Sequence, residues 1–339
     1  MDLLRGIAAF GVAISHFFYL TGESLLAETL STIFVEIFFP LSGFVLADQI
    51  LRCRREPRNL KIFFYRRWLR TIPPYLIAVF CMAILFDQVL TSDFLIYALF
   101  LQDAVPGMVE NQFFNIAWSL SVEEYFYLLF PLVILFGPRN PVVSALLFIA
   151  VFQIARILLV SDVEPQFIRI GTFLRLDSIA FGFLVYLALQ NRAAKIIIWP
   201  ILGLIISGVL LGALYLEIAS GRDSGLLKLA YINVASLFGI SMLVFFHQTD
   251  TLFPIRGIFR IVSIWAGKIS YPIYLFHILI LQLMLAAFDT IGVVHFQIYI
   301  VALIGFTITF HVVFERPILE MRPRFIPDAA TPPQNTLAS

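Results

Sequence analysis

The chain alternates long apolar stretches with short polar ones, and the apolar stretches have the length of membrane-crossing helices. Ten of them approach the ~20 residues that a bilayer span needs. They run approximately over 3–20, 32–51, 71–90, 118–136, 142–160, 171–190, 196–218, 229–247, 270–288 and 296–314. Segments of alternating polarity about ten residues long, the mark of an outer-membrane barrel, are absent. Weaker apolar pieces at 94–101 and 258–266 read as short interfacial or re-entrant segments. The pattern predicts an all-α fold, a polytopic transmembrane bundle of about ten spans over residues 1–318. A polar tail rich in Pro, Ala and Thr follows at 319–339 and is expected to be disordered. The spans show no inverted repeat of the kind that marks many transporters.

Composition sharpens this. Of 339 residues 60% are hydrophobic and 13% charged, against about 25% charged in soluble domains. A soluble globular protein is excluded. Two cysteines, Cys53 beside a basic segment and Cys81 inside a span, suggest neither a disulfide framework nor a metal cluster. The first span is followed by no small-residue cleavage site, so it reads as a retained helix.

Net charge is only +1, but its distribution is lopsided. With the N-terminus inside, eighteen of the 23 basic residues fall on the cytoplasmic side, from Arg5 through the cluster Arg52–Arg70 to Arg324. Arg169, Arg222 and Lys228 fall outside, while Arg156 and Arg175 lie within spans. The outer loops are acidic, with Glu23, Glu28, Asp93, Asp103, Glu110, Asp162, Glu164, Glu217, Asp223 and Asp289. The positive-inside rule therefore places both termini in the cytoplasm.

Against this background, ionisable groups inside spans become candidates for chemistry, since each costs roughly 2.5 kcal/mol or more to insert. The first helix, LRGIAAFGVAISHFF at 4–18, opens on Arg5 and carries His16 into the apolar region. At 1.5 Å per residue, His16 lies about 20 Å beyond the start of its span, in the outer half. The fourth span enters from outside with WSLSVEEYFY; Trp118 suits the interface and Glu123 sits roughly 8 Å deep. A histidine beside a carboxylate at one depth is an arrangement for general-base catalysis. The bland readings are a histidine capping a helix carbonyl, and Glu123 and Glu124 merely flanking the interface. Ser119 and Ser121 read as helix-start or packing groups.

The second constellation is RCRREPRNLKIFFYRRWLRTIPPY, with eight basic residues between 52 and 70. Arg52 to Lys61 read as an orientation signal that also meets anionic lipid. Arg66, Arg67 and Arg70 fall at helical spacing at the mouth of the third span, before Pro73 and Pro74, and suit the phosphates of a nucleotide-containing donor. Arg175 and Asp177 neutralise each other or partners on neighbouring helices, as a structural or a catalytic feature. His277 lies near the middle of its span, at the depth of a substrate passage.

Taken together the motifs resemble the acyltransferase-3 family of integral membrane O-acyltransferases of surface glycans. The resemblance runs through DLLRGIAAFGVAISHF (2–17), FFPLSGFVL (38–46), FFYRRWLRTIPPY (63–75) and WSLSVEEYFYLLFPL (118–132). It continues through RLDSIAFG (175–182), SYPIYLFHI (270–278) and ERP (315–317). It implies an acyl group, commonly acetyl, taken from cytoplasmic acyl-CoA and delivered to a hydroxyl of an extracytoplasmic glycan, glycolipid, lipopolysaccharide or peptidoglycan. It implies His16 and Glu123 as catalytic residues, Arg66, Arg67 and Arg70 as donor ligands, and Arg5, the family's first-helix arginine, as a substrate-binding residue. Ser42, Trp118, Glu124, Arg175, Asp177 and His277 complete the expected substrate-binding set. Acyl-CoA is expected as a substrate with no tightly bound cofactor, the bilayer as the other partner, no nucleic acid, and the bacterial inner membrane as the location. No SGNH-type extracytoplasmic domain is expected after the spans, so a second transfer would be expected to fall to another protein. The rival readings are a proton-coupled glycan or lipid transporter, with His16, Glu123, Arg175 and Asp177 as its relay, and a structural partner in glycan export.

Overall fold

The structure, a computed structural model, describes residues 1–22, 24–190, 197–222, 224–288 and 291–327. The charges expected at Glu23, Arg192, Lys195, Asp223 and Asp289, and the tail beyond residue 327, lie outside the described residues. Among the described residues the chain is helical and contains no strand. The first three long helices are α1 (Asp2–Thr21), α2 (Ser24–Arg55) and α3 (Asn59–Leu85), followed by the short α4 (Ser92–Ala98). Then come α5 (Ala117–Phe136), α6 (Pro141–Leu159), the short α7 (Pro165–Ile170) and α8 (Leu176–Gln190). The rest are α9 (Ile198–Ala219), α10 (Gly225–Leu252), α11 (Gly257–Ala287) and α12 (Val293–Phe310), which passes through a wide turn at His311–Glu315 into α13 (Arg316–Glu320). Ten helical stretches among the described residues are long and apolar enough to cross a membrane, as the sequence predicts.

Three boundaries differ from the sequence expectation. The basic segment 52–70 is almost wholly helical, because α2 runs to Arg55 and α3 starts at Asn59. Arg66, Arg67 and Arg70 therefore project from α3, and Pro73 and Pro74 lie inside that helix. The apolar piece 258–266 is the first part of the 31-residue α11, not a separate segment. Residues 319–327 belong with the bundle. The Asn59 side chain exchanges two hydrogen bonds with the backbone of Ile326, at 3.2 and 2.8 Å, and Arg66 donates to the Pro323 carbonyl at 2.6 Å. Hydrophobicity alone cannot see a polar strap held by such side-chain bonds.

Helix α2 is the central post, packed against α1, α3, α5, α8 and α10. Lipid tails give apolar helices no preference for each other, so close approach depends on small residues and polar contacts. Gly43 of α2 and Gly182 of α8 meet in this way. A Cβ at Gly43 would lie 1.9 Å from the Ile179 carbonyl oxygen, and one at Gly182 would lie 1.7 Å from that of Pro40. Pro40, inside α2, has no N–H to return to the Glu36 carbonyl. At that freed carbonyl Gly239 of α10 comes close enough that a Cβ would stand 2.3 Å away.

Two buried ion pairs tie the same helices. Arg175 pairs with Glu36 across 139 residues of sequence, and Arg156 pairs with Asp177. Ser236 donates to the second Glu36 oxygen at 2.8 Å, and Gln153 donates to Asp177 at 2.9 Å. Arg175 and Asp177 thus tie α2, α6, α8 and α10 together, and neither lines the cavities described below.

Candidate active site

Two cavities lie inside the bundle, one toward each end of α1. The narrower, about 80 Å³, is lined by Arg5 of α1, Ser42 of α2, Arg67, Arg70 and Thr71 of α3, and Glu123 and Tyr127 of α5. Its polar floor is organised by Glu123, which accepts hydrogen bonds from Ser42 at 2.7 Å and from Tyr127 at 2.8 Å. Arg67 donates to Gln49 at 3.0 Å, and Arg5 lies 3.6 Å from Asp2. Neither Arg67 nor Arg70 is ion-paired among the described residues. A cluster of cations with one carboxylate among them is set up to receive an anion.

Beside this cavity the strap adds a cation. Arg66, held by Pro323, also sits over the Phe325 ring at 5.0 Å. Burial, and then the charges of Arg70 and Arg66, push the Arg322 guanidinium down to about 10. The Nε atoms of Arg66, Arg67 and Arg322 and the Nη2 of Arg322 are buried with no hydrogen-bond partner. Donors left unpaired when buried cost about 1–3 kcal/mol each, and more when charged, which marks this corner as one that a polyanion would complete.

The wider cavity, about 530 Å³, opens toward the other end of the bundle. His16 lines it, with Trp118, Gln102, Asp103, Gln112, Asn115, Gln166 and Arg169. Arg169 lies over the Trp118 ring at 5.6 Å and 3.7 Å from Glu28. Burial pushes the Asp103 carboxyl up to about 7, against the opposing pull of Arg169. Neutral amides, a carboxyl and an aromatic face make a wall suited to polyhydroxylated ligands.

Val35 and Tyr274 line both cavities. The Tyr274 hydroxyl is bonded to Ser119, and the Ser119 hydroxyl also reaches the Ile116 carbonyl at 3.3 Å. This tyrosine–serine contact stands at the partition. His16 lies just beyond it, with its Nδ1 3.0 Å from Nε2 of His277.

The predicted residues therefore divide. Arg5, Ser42, Arg67, Arg70 and Glu123 come together in one cavity, and His16 and Trp118 in the other. His16 and Glu123 are not a bonded pair. Counting from span starts places them at one depth, but α5 begins level with His16, at Trp118, and carries Glu123 on toward Arg5. Glu124 lines neither cavity; it is buried beside Thr71 of α3, and one of its carboxylate oxygens lacks a partner. His277, fully buried, stands behind His16 and lines neither cavity. Arg322, Tyr274 and Ser119 as partition residues, and the amides of the wide cavity escaped the sequence reading. The sequence reading had counted Arg322 only among the cytoplasmic basic residues.

Comparison with known proteins gives the same direction. The chain is 27% identical over 313 residues to the O-acetyltransferase OatA of Staphylococcus aureus (strain NCTC 8325 / PS 47), covering 82% of this chain and 49% of that protein. It is 28% identical over 326 residues to the peptidoglycan O-acetyltransferase OatA of Listeria monocytogenes serovar 1/2a (strain ATCC BAA-679 / EGD-e), covering 84% and 49%. The chain thus spans about half the length of the curated relatives it matches. No solved structure matches it. Residues 1–316 fit the model of the acyltransferase domain called Acyl_transf_3, so this multi-pass membrane protein belongs to that family of acyltransferases.

Proposed function

We propose that the protein is an O-acetyltransferase that carries an acetyl group from cytoplasmic acetyl-CoA to a hydroxyl of an extracytoplasmic glycan, with peptidoglycan, the acceptor named for the Listeria relative, as the first candidate. The observation that carries this reading is the pair of cavities meeting at Tyr274, one rich in guanidinium groups and the other holding His16. The excess of basic residues at the arginine end orients that end to the cytoplasm, and the bacterial relatives support a place in the inner membrane. Arg5, Arg67 and Arg70 bind the donor phosphates, with Arg66 and Arg322 at the mouth. Glu123 holds Ser42 and Tyr127 in the cavity wall. The acyl arm extends past Ser119 and Tyr274 to the level of His16. There His16 takes the proton of the acceptor hydroxyl as its oxygen attacks the thioester carbonyl. The C–S bond breaks, and the leaving thiolate takes up the proton from His16. Every group needed is supplied by donor, acceptor and one histidine.

The reading is tested by mass spectrometry of surface glycans from cells lacking the protein, complemented with the wild-type chain or with His16→Ala. Loss of an acetyl mass that only the wild type restores is the expected result. Loss of a whole glycan species with no change in acetyl content overturns it in favour of a transporter. A second expectation concerns the strap. Arg322→Ala should raise the KM for acetyl-CoA about tenfold, as loss of one charge-assisted phosphate contact implies, with kcat little changed. Steady-state rates in membrane vesicles across donor concentrations measure it, and an unchanged KM removes Arg322 from the donor site.

A further inference from the structure

We infer that His277 is the positioning residue that fixes the tautomer of His16, so that His16 presents an unprotonated Nε2 to the wide cavity. His277 lies on α11 with its Nδ1 3.1 Å from the Ile273 carbonyl oxygen and 2.7 Å from that of Tyr274. Carbonyl oxygens only accept, so His277 Nδ1 carries a proton and donates it. In a neutral imidazole the other nitrogen, Nε2, is then a lone pair. That lone pair faces His16 Nδ1 at 3.0 Å, and the hydrogen bond between them requires the proton on His16. His16 Nδ1 is thereby the donor, and its Nε2 is left without a proton.

The rings are placed to hold this arrangement. Their centroids are 5.1 Å apart and their planes differ by 26°, so the nitrogens meet edge to edge. The Tyr299 hydroxyl reaches the carbonyl of Ala13 at 3.2 Å and that of His277 at 3.4 Å, linking α12 to both histidine-bearing helices. Besides His277 and the Val12 carbonyl of its own helix, the charged group that acts on His16 is Arg169, a cation in the same cavity, and no carboxylate is bonded to either ring among the described residues. A second proton on the pair has no counter-charge there, so both imidazoles are neutral before reaction. In triads the orienting partner of a histidine base is a carboxylate. Here a second imidazole, anchored by two backbone carbonyls, takes that place. When His16 Nε2 gains the acceptor proton, its Nδ1–H continues to donate to His277, and no further proton moves.

This inference rests on the reading of His16 as the base, but its readout does not. The full chain, labelled with [15N]histidine and placed in lipid nanodiscs, is examined by solid-state 15N NMR, with His16 assigned by comparison with His16→Gln. The expected spectrum shows His16 with Nδ1 protonated and Nε2 bare. In His277→Leu that signature shifts toward the Nε2–H form, and kcat falls on the order of 100-fold with the donor KM unchanged. His277→Gln keeps an oxygen acceptor near the same place, and is expected to retain both the signature and transfer within about tenfold of wild type. A wild-type His16 protonated at Nε2 overturns the inference, as does a His277→Leu protein whose His16 signals do not move. Should the leucine variant not fold, the wild-type and glutamine spectra still decide it. Acetyl transfer surviving in His16→Gln with the tautomer as expected would instead remove the base reading and leave the His277 assignment standing.

Discussion

Replacing His16 by alanine is expected to lower acetyl transfer at least about 100-fold, the range over which a positioned general base acts, while donor binding stays at its wild-type value. The separation follows from the two cavities. His16 lines the wide one, and the guanidinium groups line the other, with Tyr274 between them. Removing an imidazole from one side leaves Arg5, Arg67, Arg70 and their floor of Ser42, Glu123 and Tyr127 untouched. Purified protein in nanodiscs, assayed for labelled acetyl transfer and separately for acetyl-CoA binding, measures both quantities. Glu123→Gln is the informative contrast. Were Glu123 the partner of His16, the two substitutions would act alike and a double variant would be no worse than either single one. The observed bonds of Glu123 run to Ser42 and Tyr127 instead. Its loss should therefore act through the donor cavity, raising the donor KM, and its effect should add to that of His16→Ala. Transfer near wild-type level in His16→Ala protein of normal abundance would end the case for this histidine.

The elements were legible because bilayer spans follow from apolar length, and all ten appear where the hydropathy places them. The individual candidates on α1, α3 and α5 were legible too, since charged and imidazole groups inside apolar helices have few reasons to be there. What the residues face was not. Depth counted from the ends of apolar runs assumes that every span starts at the membrane surface, yet α5 starts at Ala117 with Trp118 already in the cavity that holds His16. That offset paired His16 with Glu123 when its neighbour is His277, 261 residues away. The same limit hid Glu36. It sits in the apolar run FVEIFF, and its partner Arg175 lies on the far side of five intervening helices, α3 to α7, in the sequence. Long-range partners of this kind leave no periodic trace.

The Glu36–Arg175 pair carries the second large expectation. Arg175→Ala should destabilise the protein by about 3–5 kcal/mol, the cost of leaving one member of a buried ion pair uncompensated. Both side chains are wholly buried, and the carboxylate left behind has, among the described residues, only Ser236 as a donor. Glu36→Leu combined with Arg175→Met removes both charges and should recover most of that loss, since an apolar pair of similar size needs no partner. Fluorescence-detected size-exclusion after graded heating compares the three proteins. The result also bears on the transport reading, in which Arg175 and Asp177 belong to a proton relay. A relay residue would abolish function however well the chain folds. A structural pair predicts that the double variant, once folded, transfers acetyl with an unchanged donor KM, because Arg175 and Glu36 line neither cavity. The geometry favours the structural role: Arg175 meets Glu36 and Ser178, Asp177 meets Arg156 and Gln153, and both ion pairs are buried between α2, α6, α8 and α10. A stable but inactive double variant would reopen the relay.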